Sequence, residues 1–308
     1  MKITDSELNL IGWMVPIVIA LALIFGCACA SPSAAIDPAP APEAPAESTA
    51  PAEPVWYSTF RAAAVVWGLT NVQASAYGGW DGACPGCDVD AKANYSYYVS
   101  GGIPTTMLLN AGATKAAAQA AIASAAAGLA SNDCLIIDYS SHGTLVRDLD
   151  GDEADGTGQD SALCMFDGIW VDDDFLAFLK SVVPDGVIVR IGSDCCHSEG
   201  NFRGYARSFQ QAVSGGRWGQ IPRFELRAKD DLPFAITQMA GSRKLSYAYG
   251  ADDGGTFTLT RLANATGFWK SWFEATKAKM PGNQTPVWVE SGPVTDEIRN
   301  APVFPKGK

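Results

Sequence analysis

Short apolar, β-branched runs alternate with helical stretches along most of this chain, and no other feature constrains its fold as much. Strands joined through helices lie parallel to one another, since a parallel connection needs a long crossover. The alternation therefore predicts an α/β fold with a mostly parallel central sheet and helices on both faces. The predicted strands are Ala62 to Leu69, Thr106 to Leu109, Cys134 to Tyr139, Val187 to Ile191 and Phe234 to Met239.

Three of the intervening helices have recognisable starts or faces. Thr114 is a candidate cap for an Ala-rich helix that runs to about Leu129. A second helix begins at Asp172 or Asp173, and a long third one is predicted from Leu259 to Lys279. The third carries an aromatic stripe that we interpret as core packing, namely Phe268, Trp269, Trp272 and Phe273.

The first 54 residues are predicted to lie outside this fold. Residues 1–30 contain a nearly uninterrupted apolar stretch and indicate an export signal, or a membrane or lipid anchor with Cys27 as the lipidated residue. Residues 31–54 are rich in Pro and Ala and predict an extended tether. We therefore expect a domain over 55–308 that is exported, being periplasmic, extracellular or anchored facing outward. Only the N-terminal segment is expected to contact a membrane.

Composition excludes one class of partner. The chain has 308 residues and a formal charge of −11. Proteins that neutralise nucleic-acid phosphates need clustered Lys and Arg, so nucleic acid is not an expected partner.

The chain has only two histidines, and each follows a predicted buried strand. His142 lies in the segment Tyr139–Gly143, and His197 directly follows Asp194-Cys195-Cys196. Parallel-sheet enzymes carry reactive side chains at the carboxyl ends of strands. His142 also precedes Cys196 by 54 residues, which is close to the spacing of caspase-type peptidases.

Side-chain direction separates the two histidines. Residues two apart on extended backbone share a face, so Asp194 and Cys196 are expected to face one crevice and Cys195 the core. His197 is the immediate neighbour of Cys196 and is badly placed to act as its base. A thiol of ordinary pKa needs an imidazole partner at neutral pH, which leaves His142.

The two motifs resemble those of metacaspases and their bacterial relatives, which are caspase-fold cysteine peptidases. Five further segments resemble the family in the family's order: Gly86–Ala91, Asp148–Glu153, Val171–Phe175, Gly254–Thr258 and Gln284–Pro286. The resemblance runs from about Ala62 to Phe304. It implies a caspase-like three-layer sandwich and a cysteine-type endopeptidase that is expected to be a monomer.

The resemblance also assigns roles by position. Cys196 would be the nucleophile and His142 the general base, while the amides of Gly143 and Cys196 would hold the oxyanion. The family's primary pocket corresponds to Cys87, Asp90, Ser140 and Asp194. Two carboxylates in a pocket suit a guanidinium or ammonium group, so we expect peptide and protein substrates with cleavage after Arg or Lys.

Calcium and self-processing are further expectations. The chemistry itself requires no cofactor, but Asp160, Asp172 and Asp173 match a calcium site of the family and offer hard oxygen ligands for Ca²⁺. Glu199, in contrast, replaces an expected glycine. The Gly-rich segment 208–229 contains four basic residues and is a candidate for self-cleavage, although an ordinary basic loop explains it equally well.

Other interpretations remain open from the sequence. The Cys84-Pro85-Gly86-Cys87 segment has the spacing of a dithiol oxidoreductase or of a local disulfide, and such a disulfide could disturb the pocket and act as a redox brake. A caspase-fold binding or scaffold protein at the cell envelope, without turnover, is the alternative to an active peptidase. Cys134 and Cys164 are predicted to be small buried residues.

Overall fold

The structure, a computed structural model, describes residues 60–149, 157–200 and 232–305. The predictions for the export signal or anchor over 1–30, the tether over 31–54 and the basic segment 208–229 lie outside these residues. In the part of the chain that the structure describes, no helix has both the length and the apolar character needed to cross a membrane.

The strands of the described residues are β1 Ala62–Gly68, β2 Thr105–Leu109, β3 Cys134–Ser140, β4 Gly143–Arg147, β5 Gln159–Met165, β6 Gly168–Val171, β7 Ile188–Asp194, β8 Ala235–Ala240, β9 Gly250–Ala251, β10 Gly254–Gly255 and β11 Val287–Ser291. The central sheet has six of them in the order β11-β8-β7-β3-β1-β2. Neighbouring strands are parallel except for β11, which is antiparallel to β8. The five predicted strands correspond to β1, β2, β3, β7 and β8, so the prediction of a mostly parallel sheet is confirmed.

Helices cover both faces of this sheet. They are α1 Cys87–Ser100, α2 Lys115–Ala126, α3 Asp172–Val182, α4 Thr256–Ala263, α5 Trp269–Lys279 and α6 Asp296–Arg299. The Thr114 hydroxyl accepts a hydrogen bond from the Ala117 amide at 3.1 Å, which confirms the predicted cap of α2.

The two cores follow the alternation of side chains along each strand. On β1, Val65 and Trp67 belong to a core shared with α2 and α3. Ala64 and Val66 belong to a second core, shared with α1, α4 and α5. Successive strand residues point to opposite faces, so one apolar strand supplies both cores and the three-layer arrangement follows.

The predicted long helix over 259–279 is wrong, because the structure has two helices there. The Asn264 side chain donates to the Thr260 carbonyl at 2.8 Å, as such residues do where a helix ends. Gly267 lies in the break, and α5 starts two residues later. Phe268 consequently precedes the helix and is 40% exposed, so its predicted core position is also wrong. The other three aromatic residues of the stripe are buried.

A buried ion pair joins α4 to the central sheet. Arg261 donates to the two carboxylate oxygens of Asp138 on β3 at 2.9 and 3.0 Å, and both side chains are 1% exposed. The Tyr98 hydroxyl also donates to Asp138, and Arg261 reaches the Asn94 side chain at 2.8 Å. This network ties α1 and the last turn of α4 to β3.

Candidate active site

The two motifs that contain His142 and Cys196 follow neighbouring strands. In the β3–β7 pair, Ser140 lies opposite Asp194. His142 and Cys196 each come two residues beyond that pair. Gly143 approaches the Cys196 carbonyl so closely that a β-carbon on this glycine would overlap it. The fold thus brings two segments that are remote in sequence to one end of the sheet, as the strand pattern predicts.

His142 is held by a segment that precedes α1. Its Nε2 lies 3.1 Å from the carbonyl oxygen of Ala83, so Nε2 carries the proton in this hydrogen bond. The other nitrogen, Nδ1, then has the free lone pair and is the atom that can accept a proton. The indole of Trp80 lies against the imidazole, with ring centroids 4.8 Å apart. Neither contact was predicted from the sequence, and a backbone carbonyl in particular leaves no residue-type signal by which to find it.

His197 is engaged elsewhere. Its Nδ1 lies 2.5 Å from the Lys244 carbonyl, and its amide donates to the Ser246 carbonyl at 3.0 Å. The residue has a positive φ of 58°, which turns its side chain out of the extended direction of β7. Its ring is therefore part of the contact between the end of β7 and the loop after β8.

Cys196 is a half-buried thiol that needs a base. Burial raises its pKa, and a hydrogen bond from the Ala248 amide, 3.4 Å from Sγ, opposes that rise only in part. At neutral pH the sulfur is consequently protonated, and it becomes a nucleophile only if an imidazole takes the proton. Cys195 is 1% exposed and packs in the core between the sheet, α2 and α3, in the direction predicted from strand alternation.

The amide of Gly143 is directed away from its neighbouring strand. The Cys164 amide donates to the His142 carbonyl at 3.0 Å, and Gly143 lies opposite Leu163 in the next pair. Hydrogen-bonded and non-bonded pairs alternate in an antiparallel ladder, so Gly143 belongs to a non-bonded pair. Its N–H is left for a group outside the ladder, and it lies beside Cys196.

Three of the four residues assigned to the substrate pocket lie close together around Gly255. The Ser140 hydroxyl donates to Asp90 at 2.6 Å, and the Gly255 amide donates to both oxygens of Asp90 at 2.8 and 3.0 Å. Asp194 accepts from the Thr258 amide, in the first turn of α4, at 2.9 Å. The sequence indicated the two carboxylates and the serine but not the two backbone donors.

The two carboxylates influence each other. Burial, followed by the negative charge of Asp194, raises the pKa of Asp90 to about 7, against the hydrogen bonds from Ser140 and Gly255. Burial also raises the pKa of Asp194, against its contacts with Thr258. Near neutral pH one of the two carboxyl groups is therefore partly protonated. A cation bound beside the pair would favour the ionised form of both.

The fourth pocket residue, Cys87, forms a disulfide with Cys84. Cys87 is the first residue of α1, three residues before Asp90, and Cys84 directly follows the Ala83 carbonyl that contacts His142. The disulfide thus links the segment that holds the histidine to the helix that carries the pocket. Turn residues precede it rather than the strand expected of a dithiol oxidoreductase. Cys134 and Cys164 are buried free thiols, as predicted.

The three aspartates predicted to bind a metal come together. Asp160 on β5 and Asp172 and Asp173 at the start of α3 each offer a carboxylate oxygen, and these oxygens lie within 4.8 Å of one another. Asp160 and Asp172 are buried and Asp173 is half-buried. Three adjacent carboxylates form a donor set that fits Ca²⁺. Glu199 is buried instead against the loop after β8, where it accepts from the Lys244 amide at 3.0 Å.

A family model and several known proteins resemble this chain, and the family model spans the residues of the site. A family model described as the caspase domain matches residues 71–279. Metacaspase-1 from Arabidopsis thaliana is 39% identical over 75 residues, which are 23% of this chain and 20% of that protein. Metacaspase-1 from Kluyveromyces lactis is 42% identical over 71 residues, which are 22% of this chain and 16% of that protein. The aligned segment therefore spans at most about a fifth of these curated relatives.

A solved structure matches over a longer range. Protein GSU0716 from Geobacter sulfurreducens superposes with a TM-score of 0.63 at 26% sequence identity. The match covers 79% of this chain and 98% of that one.

Proposed function

Because the chain belongs to the caspase-domain family, we propose that it is a cysteine endopeptidase in which Cys196 and His142 form the catalytic dyad. The observation that carries this proposal is the convergence of the two residues at the ends of β3 and β7, with the histidine tautomer set by Ala83. A half-buried thiol, at the same end of the sheet as an imidazole whose Nδ1 can accept a proton, suits cysteine-based acyl transfer.

The reaction uses these groups in turn. His142 takes the proton of the Cys196 thiol through Nδ1, and the sulfur attacks the scissile carbonyl. The amides of Gly143 and Cys196 donate to the oxyanion that develops. The imidazolium then gives its proton to the departing amine, and water, activated by the same imidazole, hydrolyses the thioester. The Ala83 carbonyl stabilises the positive imidazolium at each step.

Specificity for Arg or Lys before the cleaved bond is supported by the carboxylate cluster. Asp90 and Asp194 accept hydrogen bonds from a hydroxyl and from backbone amides, and the raised pKa of Asp90, about 7, leaves the pair incompletely ionised near neutral pH. A guanidinium or ammonium group would stabilise the second negative charge, and a guanidinium can bind in a fork. Gly255 covers Asp90 in this structure, so the substrate cation displaces or flanks the β9–β10 hairpin as it enters.

Calcium stimulation is part of the proposal. The ion would be held by Asp160, Asp172 and Asp173, and its charge would offset the repulsion among the three carboxylates. A calcium-dependent rise in thermal stability tests this directly. Asp172→Asn should reduce that rise, whereas Asp174→Asn, at an exposed neighbour that pairs with Lys115, should leave it intact. A rise of equal size in both variants would exclude the cluster.

Export, tethering, a monomeric state and self-processing complete the proposed picture. Residues 1–30 direct the chain out of the cytoplasm or anchor it facing outward, and residues 31–54 serve as the tether. Intact mass of the mature protein reports the N-terminus and any lipid. A cut within 208–229 that appears in the wild type and not in Cys196→Ala would support self-processing.

Peptide cleavage tests the proposal as a whole. Purified protein should hydrolyse fluorogenic peptides that end in Arg or Lys and spare those that end in Asp, and both Cys196→Ala and His142→Ala should be inactive. Hydrolysis that survives in Cys196→Ala would contradict the proposed nucleophile. An inert wild type that still binds these peptides would favour the scaffold protein, whereas insulin reduction that is lost in Cys84→Ser would favour the dithiol oxidoreductase.

A further inference from the structure

Trp80 is an exposed indole beside the catalytic imidazole. Its ring centroid lies 4.8 Å from that of His142 with the planes tilted by 56°, yet 46% of the residue remains exposed. The largest core aromatic residues, Trp67, Trp170 and Trp269 among them, are fully buried. Trp80 therefore keeps a large apolar surface in contact with solvent at the site of chemistry.

Its position is fixed by the surrounding segment. The Tyr77 hydroxyl donates to the Met165 carbonyl at 2.6 Å, and the Tyr77 ring meets the indole edge-on at 5.9 Å. The Trp80 amide donates to the Tyr77 carbonyl at 3.2 Å, and the adjacent Asp81 carbonyl accepts from Val72 at 2.8 Å. An indole anchored in this way loses little further freedom when a ligand covers it.

The proposed chemistry decides which part of a substrate meets this surface. His142 must give its proton to the departing amine, so that amine nitrogen comes within hydrogen-bond reach of the imidazole. The residue that follows the cleaved bond, which carries this amine, is therefore the residue nearest to Trp80. The exposed residues Tyr247 and Tyr249 instead flank Ala248, whose amide contacts the Cys196 sulfur.

We propose that Trp80 lines a subsite for the residue directly after the cleaved bond and favours a large apolar or aromatic side chain there. The inference rests on the proposed peptidase function and adds a second determinant of specificity to the basic residue before the bond. Covering an exposed indole removes apolar area from water, and contacts of this size discriminate substrates by roughly tenfold.

Internally quenched peptides that share an Arg before the bond and carry Gly, Leu or Phe after it provide the test. We expect the wild type to cleave the Leu and Phe peptides roughly tenfold faster than the Gly peptide, in kcat/KM. Trp80→Ala should level the three rates, and Trp80→Phe should keep most of the preference. Phe268→Ala removes an equally exposed aromatic residue that bridges to Pro302, and it should change nothing.

The outcomes separate this inference from the function on which it rests. If Trp80→Ala lowers all three rates by one factor, the indole acts only through the orientation of His142, and the subsite is excluded. A wild type that cleaves the three peptides equally also excludes the subsite, while the peptidase function stands. A wild type that cleaves no peptide overturns both.

Discussion

Two sets of buried carboxylates differ in their partners, namely Asp138 on β3, and Asp90 on α1 together with Asp194 on β7. Asp138 is paired with Arg261, a cation supplied by the chain itself, and that pair joins α4 to β3. Asp90 and Asp194 lie nearby but accept hydrogen bonds from a hydroxyl and backbone amides. The first set is complete without a ligand and serves the fold. The second is left with charge to balance, which is what a binding site for a basic side chain needs.

Removal of Arg261 from its ion pair with Asp138 should have the largest effect on stability. Arg261→Ala leaves Asp138 charged in the core, and the free energy of unfolding should fall by about 3–5 kcal/mol in urea denaturation. Lys92→Ala, which removes the exposed pair with Asp88, should cost less than about 1 kcal/mol. Losses of similar size in the two variants would show that Arg261 does not hold the fold.

Changing the second set should affect catalysis more than folding. Asp194→Asn should lower kcat/KM for Arg-terminated peptides roughly 30-fold, equivalent to about 2 kcal/mol, because the substrate cation loses a buried carboxylate. The matched control is Asp88→Asn in the first turn of α1, which should be nearly neutral. An equal fall for Gln-terminated peptides would mean that Asp194 does not recognise charge.

Adding a side-chain atom next to Asp90 and Asp194 is a further test of the second set. Gly255 has a φ of −74°, which alanine adopts freely, but a β-carbon there would lie against both Asp90 and Asp194. Gly255→Ala should therefore destabilise the fold by about 1–3 kcal/mol through overpacking. Gly267→Ala meets nothing within 4 Å and serves as the control. A neutral Gly255→Ala would indicate that the β9–β10 hairpin moves readily off the carboxylates.

A separate effect is a pH dependence of stability. Burial and Asp194 raise the pKa of Asp90 to about 7, above its unfolded value of about 3.9, so the folded state binds more protons between these pH values. Stability should consequently fall as pH rises from about 4 to about 7. Asp90→Asn should flatten that part of the urea-denaturation profile, and an unchanged slope would exclude Asp90 as its source.

The sequence predicted what depends on residue type and periodicity. Buried runs such as Cys134 to Tyr139 gave the strands, and strand alternation put Cys195 in the core. His142 and Cys196 were identified as partners because the ends of parallel strands meet at one side of a sheet.

The contacts that the sequence did not predict are made by backbone or depend on tertiary packing. The Ala83 carbonyl, the Ala248 amide and the Gly255 amide act through atoms that every residue shares, so no residue-type pattern marks them. The break between α4 and α5 was not predicted, because Asn264 and Gly267 are weak signals for a helix end and the apolar periodicity continues on both sides of them. The small sheet of β4, β5 and β6 follows His142 directly and was not predicted, because β6 has only four residues and β5 mixes polar and apolar residues without strict alternation.

The Cys84–Cys87 disulfide has a practical consequence for anyone who handles this protein. Thiol peptidases are usually kept in dithiothreitol so that the attacking sulfur stays unoxidised, and the same reagent can open this cross-link by exchange. Ala83, whose carbonyl contacts His142, adjoins Cys84. A reductant can therefore change the position of the histidine as well as the oxidation state of the nucleophile. Preparations that differ only in reductant are thus different samples, and the oxidation state of Cys84, Cys87 and Cys196 is best recorded by mass spectrometry beside every rate.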